Sequence, residues 1–398
     1  MTTSTLRPVV TELRLSAYRA HTQAAFSLGP LTLFTGPSGS GKSSALEAYA
    51  ALSRLAGGEA VDAVFPDPEG CVPQRARPDA QGRRGFRIGC TVDGPVGPVR
   101  LDVAVQAEPE LRVVGERLTG AGETLLETAL RDPRRRSVLA AWHTAGSVQV
   151  TRAPLPDDRL ATALLPLHIA GRTAGQLLTL AAAEQVVIAL RSVFACDPRP
   201  ERMRRPAQRG QGRLRSSCDN LAAVLLRTRT ECATRHAALV AAARAGCRGP
   251  VSGLAAREGE GGAVRAVLER GELGGIPIER LGDGELRYLA LALVLMTGPG
   301  VLEVDPAADV LPAQQALTVL ADGFDRCLDR HQAAELLRVA ARMCARGHIR
   351  LVGAVGEVPD GAGEAGPGGA PEASGAPAAG GRPEPAVTVV HLGCERRS

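Results

Sequence analysis

One lysine, one asparagine, one tryptophan and three tyrosines are all that 398 residues contain of these types, with six phenylalanines beside them. So few rings exclude a stacking platform for single-stranded nucleic acid. The apolar fraction of 44% must therefore build an aliphatic core. No two of the nine cysteines stand at C-x-x-C spacing. An odd count scattered through a long chain fits reduced, buried thiols better than a disulfide framework or a zinc site. Met1 to Glu12 lack the apolar stretch of a signal peptide, and the longest apolar run, Tyr288 to Met296, is too short to cross a bilayer. The expected location is the cytoplasm, with no membrane partner. A net charge of +5 does not by itself call for nucleic acid.

The single lysine sits in Gly36-Pro37-Ser38-Gly39-Ser40-Gly41-Lys42-Ser43, while the other strongly basic residues are all arginine. This bias, with abundant Ala, Gly and Pro, points to a GC-rich bacterial genome, in which lysine survives only where arginine cannot replace it. The octapeptide fits G-x-x-x-x-G-K-[ST], a loop whose backbone N–H groups cradle nucleotide phosphates. A compact ammonium reaches between β- and γ-phosphates where a planar guanidinium does not fit. Gly36 to Ser44 are the expected nucleotide-binding residues, with Lys42 on the β/γ-phosphates and Ser43 offering its hydroxyl to Mg²⁺. A GTPase reading guanine through N-K-x-D is excluded, because no second lysine exists.

Around this loop the pattern reads as alternating strands (Val10 to Leu15, Ala24 to Leu28), the apolar strand Leu31 to Phe34, the loop, and a helix from Ser43 to Leu55 closed by Gly57-Gly58. Strands are expected at Phe86 to Val92, Val99 to Val105 and Leu111 to Leu118. From about Gly120 to Pro200 the pattern reads as mainly helical, with Ala174 to Phe194 clearest. Beyond an arginine-dense loop (Arg199 to Arg215) come a long helix from Asn220 to Ala245, strands at Val264 to Arg270 and Ile276 to Glu279, and a glycine turn opening a helix from Glu285 to Met296. The strand Val301 to Val304, helices at Pro312 to Leu328 and Gln332 to Arg346, and the strand Ile349 to Val355 follow. Gly356 to Pro385 is low in complexity and expected to be disordered; Val387 to Leu392 is a last strand.

Several segments together resemble the ABC-type ATPase heads of the RecF/SMC/OLD group, often placed among the AAA-family ATPases. They are Leu13 to Arg19, Leu31 to Pro37, Cys196 to Pro200, Asp219 to Leu225 and Leu281 to Leu291. The resemblance implies an α/β fold, a P-loop NTPase of ABC-ATPase-head type, with a mixed sheet, an antiparallel β subdomain and a helical insertion. The corresponding organisation is an N-terminal lobe over 1–119, a helical insertion with the arginine-rich loop over 120–215, a C-terminal lobe over 216–355, a linker over 356–385 and a terminal strand and tail over 386–398. It further implies ATP and Mg²⁺ as cofactors and a homodimer that sandwiches two nucleotides.

In such heads a signature turn meets the partner's γ-phosphate, and here Gly282, Gly284 and Glu285 occupy it, Gly282 standing where the family has serine. Arg19 matches a residue that reaches the nucleotide, with a solvated strand-end arginine as the alternative reading. Gln74 or Gln81 is a candidate for the glutamine that senses Mg²⁺ and water. Val301 to Asp305 fits a strand ending in an acid, and Asp305 is the candidate for both catalysis and Mg²⁺. The family's pair of adjacent acids is incomplete, however, which leaves Glu303 as the substitute. The histidine that follows the next strand in the family is also missing. Two functions therefore stay open: an ATPase acting on DNA or a DNA-bound partner, in repair or phage defence, or a nucleotide-gated switch that binds ATP with little or no hydrolysis. A small-molecule kinase would leave the Leu281 to Leu291 turn unexplained.

Overall fold

The computed structural model describes residues 7–143, 151–210, 212–304, 315–359 and 387–393. In chain order, β1 (Val9–Tyr18), β2 (His21–Ser27) and β3 (Leu31–Thr35) precede α1 (Lys42–Ala56) and the short α2 (Val61–Val64). Six strands follow: β4 (Arg84–Asp93), β5 (Val99–Glu108), β6 (Arg112–Gly120), β7 (Glu123–Ala129), β8 (Ser137–Trp142) and β9 (Thr151–Pro156). Next come α3 (Ala161–His168), α4 (Ala174–Arg191), β10 (Val193–Cys196), α5 (Pro200–Met203), β11 (Ala207–Gln208), α6 (Leu221–Glu231) and α7 (Ala233–Gly246). The remainder comprises β12 (Gly253–Glu258), β13 (Ala263–Glu269), β14 (Gly275–Pro277), α8 (Asp283–Leu295), β15 (Leu317–Ala321), α9 (Arg330–Ala345), β16 (Ile349–Ala354) and β17 (Thr388–His391). Two compact units result. Met1–Leu28, Gly39–Val193 and Asp305–Ala316 form the first; Gly29–Ser38, Phe194–Val304 and Leu317–Ser398 form the second.

The first unit is an eight-stranded antiparallel sheet in the order β2-β1-β4-β5-β6-β7-β8-β9. Its strands obey the period of two: β4 buries Phe86, Ile88, Cys90 and Val92, and β5 buries Val99, Leu101, Val103 and Val105. In β1 the buried set shifts from Val10 to Leu13 and Leu15, because a bulge between Val10 and Glu12 resets the register against β4. Helix α4 covers β1, β4, β5 and β7. Its Gln185, buried in that packing, donates to the carbonyls of Val92 (3.1 Å) and Gly97 (2.7 Å) and accepts from the Val96 N–H (3.0 Å), closing the β4–β5 turn.

On β6, Glu116 reaches the start of α3, where it accepts from the N–H groups of Ala161 (2.6 Å) and Thr162 (2.7 Å) and from the Thr162 hydroxyl. Burial raises its carboxyl from the ordinary range to about 7, against the lowering effect of these bonds. Because the folded value lies above the unfolded one, the stabilisation is complete below the ordinary carboxylate range and is lost as pH rises through 7. Glu116→Gln is therefore expected to flatten the fall in thermal stability between pH 5 and 8. A scan in which wild type and variant decline in parallel would contradict this account.

The second unit holds a five-stranded sheet, β10-β15-β16-β3-β17, in which β15, β16, β3 and β17 run parallel. Such strands are buried on both faces, and all five residues of both β3 and β15 are. α8 is buried at every residue from Leu286 to Leu295, as a helix apolar all round must be. Tyr288 donates to the Ala242 carbonyl at 2.9 Å. α7 ends at Gly246, where a Cβ would lie 2.1 Å from the Tyr288 ring. A smaller sheet, β11-β13-β12 with β14 beside β13, completes this unit.

Most predicted elements are present, with four differences. The stretch expected to be helical from Gly120 contains β7, β8 and β9 before its first helix. The expected helix from Asn220 to Ala245 breaks at Cys232 into α6 and α7, which pack on one another. Val301 to Val304 is not a strand of a sheet: it makes a single parallel bridge, Leu302 to Leu214. Within Pro312 to Leu328, read as helix, the structure has β15. A five-residue apolar run buried on both faces lacks the alternation that distinguishes strand from helix.

Candidate functional site

From Thr35 at the end of β3 the chain passes Gly36, Gly39 and Gly41, with φ of 145°, 82° and 96°, values that favour glycine. At Gly41 the need is also steric, since a Cβ would lie 2.5 Å from Nε2 of His21. That nitrogen is 3.0 Å from the Gly41 carbonyl. The His21 ring is buried and stands edge-on to Phe26, centroids 5.4 Å apart, so β2 fixes the end of the loop. Lys42 opens α1. The N-cap residue, Gly41, brings no side-chain cap, and no acidic residue stands in the first turn. The positive end of the helix dipole is thus not offset by an acid of its own first turn. The Ser40 hydroxyl is buried with no hydrogen-bond partner among the described residues. Lys42 and Ser44 are half-buried and Ser43 is exposed.

Arg19 adopts φ 49° at the β1–β2 turn. It pairs with Glu47 at 2.6 Å, one turn beyond Ser43 on α1, and its N–H donates to the Cys71 carbonyl at 2.8 Å. The guanidinium is thus held on the flank of α1. Gln74 and Gln81 are exposed in the connection between α2 and β4.

The carboxyl ends of β3, β15 and β16 share one edge of the parallel sheet, the edge at which open α/β sheets bind ligands. Asp322 leaves that edge directly after β15, and sequence reading missed it. The turn after it is tied to the end of β16: the Phe324 N–H donates to the Ala354 carbonyl at 2.8 Å and the Gly356 N–H to Asp325 Oδ2, also at 2.8 Å. After Asp322 comes Gly323 at φ 61°, so no second acid adjoins the first. Asp305 lies outside the described residues. Glu303 is exposed, on the segment bridged to Leu214. The signal that would have located Asp322 is the apolar run Leu317 to Ala321 ending in an acid.

The glycine turn does open α8, with Gly282 as N-cap. At Gly284 a Cβ would lie 2.4 Å from the Cys327 carbonyl oxygen, so this glycine is required by packing inside the chain. Asp283 pairs with Arg204 at 2.6 Å and Glu285 with the buried Arg270 at 3.2 Å. Both carboxylates stand in the first turn of α8, where they offset the positive end of its dipole. Arg287, 2% exposed, donates to the carbonyls of Pro198 (2.6 Å) and Gly323 (2.8 Å). It thereby ties α8 to the turn beside Asp322. The only asparagine, Asn220, accepts from the Arg215 N–H (3.1 Å) and donates to the Arg213 carbonyl (2.8 Å), a loop-closing role.

A parallel sheet, a glycine loop leading from one of its strands into a helix that starts at lysine, and an acid leaving the carboxyl edge of that sheet make up an α/β fold of the P-loop type. The sequence matches no protein-family model and no curated protein. Solved structures similar to this chain include an SMC head bound to the C-winged helix domain of ScpA, with TM-score 0.48, 11% identity, and coverage of 87% of this chain and 90% of that one. An SMC head domain from Thermotoga maritima matches with TM-score 0.40 and 12% identity, covering 88% and 89%. An Smc head with an extended coiled coil, bound to the C-terminal domain of ScpA derived from Pyrococcus furiosus, matches with TM-score 0.42 and 10% identity, covering 88% and 90%. Identities this low carry over no residue role. Among the described residues no helix is long and apolar enough to cross a membrane.

Proposed function

We propose that the chain binds ATP with Mg²⁺ at the Gly36 to Ser44 loop, and that it works as an ATP-bridged homodimer that hydrolyses ATP slowly. One observation carries the nucleotide: left-handed glycines shape a loop that ends at Lys42 on a helix start with no side-chain cap and no first-turn acid. The partnerless Ser40 hydroxyl fits the same reading, as an oxygen acceptor placed there would satisfy it. Ser43 is taken as the hydroxyl that would meet the cation, and Asp322 as the acid to be tested for that role. Among the described residues no three His, Cys, Asp or Glu side chains cluster, so the cation would rely on phosphate oxygens and water for its remaining ligands. Dimerisation and a DNA target rest on the sequence resemblance alone.

The glycine after Asp322 favours slow turnover, since a missing general base lowers rate by about 10²- to 10⁴-fold. A switch that binds without hydrolysing is the neighbouring reading, supported by the same glycine. Asp322→Asn is expected to abolish the strengthening of ATP binding by Mg²⁺ while leaving Mg²⁺-free binding unchanged, with Glu303→Gln behaving as wild type. Titrations with and without Mg²⁺ check this, and an undiminished Mg²⁺ effect in Asp322→Asn would move the metal acid elsewhere. Multi-turnover phosphate release decides between ATPase and switch: release equal to that of Asp322→Asn leaves only the switch.

A further inference from the structure

We infer that a groove in the second unit binds a phosphate anion, at a site separate from the phosphate loop. β13 pairs with β12 from Val264 to Glu269, whereas its other edge pairs with β11 only at Ala263 and Val264 and with β14 only from Val267 to Glu269. Between these contacts, at Arg265 and Ala266, the edge faces a gap. The gap belongs to a groove of about 730 Å³ lined by Arg204, Arg257, Arg265 and Arg280, together with Glu258 and Glu279.

The register holds the decisive feature. Arg257 stands directly opposite Arg265 across β12 and β13, and both are exposed on one face. Like charges placed opposite one another weaken a strand pair, so the sheet carries a repulsion that nothing in its own packing requires. The available carboxylates offset it on the Arg265 side alone. Glu279 is 3.7 Å from Arg265, Glu258 pairs with Arg209 at 3.1 Å, and Asp283 holds Arg204. Arg257 and Arg280 have no carboxylate within ion-pair distance among the described residues. A phosphate between two guanidinium forks would relieve the repulsion, because each fork matches two of its oxygens. Among the described residues no aromatic side chain lines the groove, so it would read the phosphate and not a base. Arg204 also donates to the Leu281 carbonyl at 2.9 Å, so one wall of the groove is tied to the turn that opens α8.

The test uses the full chain carrying Lys42→Ala, which silences the phosphate loop, so a failure of the groove is read apart from a failure of the nucleotide site. Pyrophosphate and a short DNA duplex are the probes, by calorimetry and fluorescence anisotropy. Binding is expected in this background and is expected to weaken by about tenfold or more when Arg257→Ala or Arg265→Ala is added, the loss of a charge-assisted contact. Pyrophosphate binding identifies a small phosphate ligand; binding of the duplex alone identifies a phosphodiester backbone. Arg257→Glu supplies a second readout. It turns the like-charge pair into an opposite pair, and is expected to raise Tm by about 1–3 °C without anion while abolishing binding. Binding of neither probe, or affinities untouched by both alanine substitutions, overturns the inference.

Discussion

Lys42→Ala is expected to weaken ATP binding by about 10- to 100-fold, the equivalent of one or two charge-assisted hydrogen bonds. Thermal stability should stay close to that of wild type, because the side chain is half-buried at a helix start and not part of the core. The informative companion is Lys42→Arg. Arginine fills every other strongly basic position in this chain, so if positive charge alone were needed it would serve here too. A wide planar fork on a glycine-lined loop cannot place one compact charge between two phosphates, and Lys42→Arg should lose nearly as much affinity as Lys42→Ala. Calorimetric titration with ATP and Mg²⁺ measures both. Wild-type affinity in the alanine variant would remove the proposed site, and wild-type affinity in the arginine variant would remove the reason offered for the lysine's survival.

The second large effect is structural. Arg287→Met is expected to destabilise the chain by about 2–4 kcal/mol, since it strips two carbonyls of their donor inside the core. Methionine keeps much of the volume, so a cavity is not the cause. Arg287→Lys should recover little: a single ammonium cannot span Pro198 on one side and Gly323 on the other in the way the guanidinium does. Denaturant unfolding compares both variants with Arg202→Met, whose side chain is exposed on α5 and whose loss should be neutral. Stability equal to wild type in Arg287→Met would show that α8 and the turn after β15 do not depend on this tie. Because Gly323 adjoins Asp322, the destabilised variant should also show a weaker Mg²⁺ effect on ATP binding.

How much was legible in the sequence follows from how local each rule is. The loop from Gly36 to Ser43 was legible because its glycines and lysine lie within eight residues, and φ above zero is a demand each glycine meets alone. Helices α4, α8 and α9 were legible through their apolar patterns and, for α8, the glycine turn that opens it. The acid at the sheet edge was not. Leu317 to Ala321 was read within a helix from Pro312 to Leu328, and only its parallel pairing with β16 makes it a strand that ends at Asp322.

By itself, then, the sequence determined that a glycine loop ending in lysine stands between an apolar strand and a helix, and that a glycine turn opens a second helix. Tertiary structure alone decided three further matters. It placed Asp322 at the carboxyl edge of the parallel sheet, set Gly284 and Arg287 against the turn after β15, and put Arg257 opposite Arg265. The physical reason is range. Backbone dihedrals and helical period are settled within a few residues, whereas strand pairing joins residues such as Val319 and Leu351 that are far apart in the chain. No local pattern encodes which apolar run will win that partner.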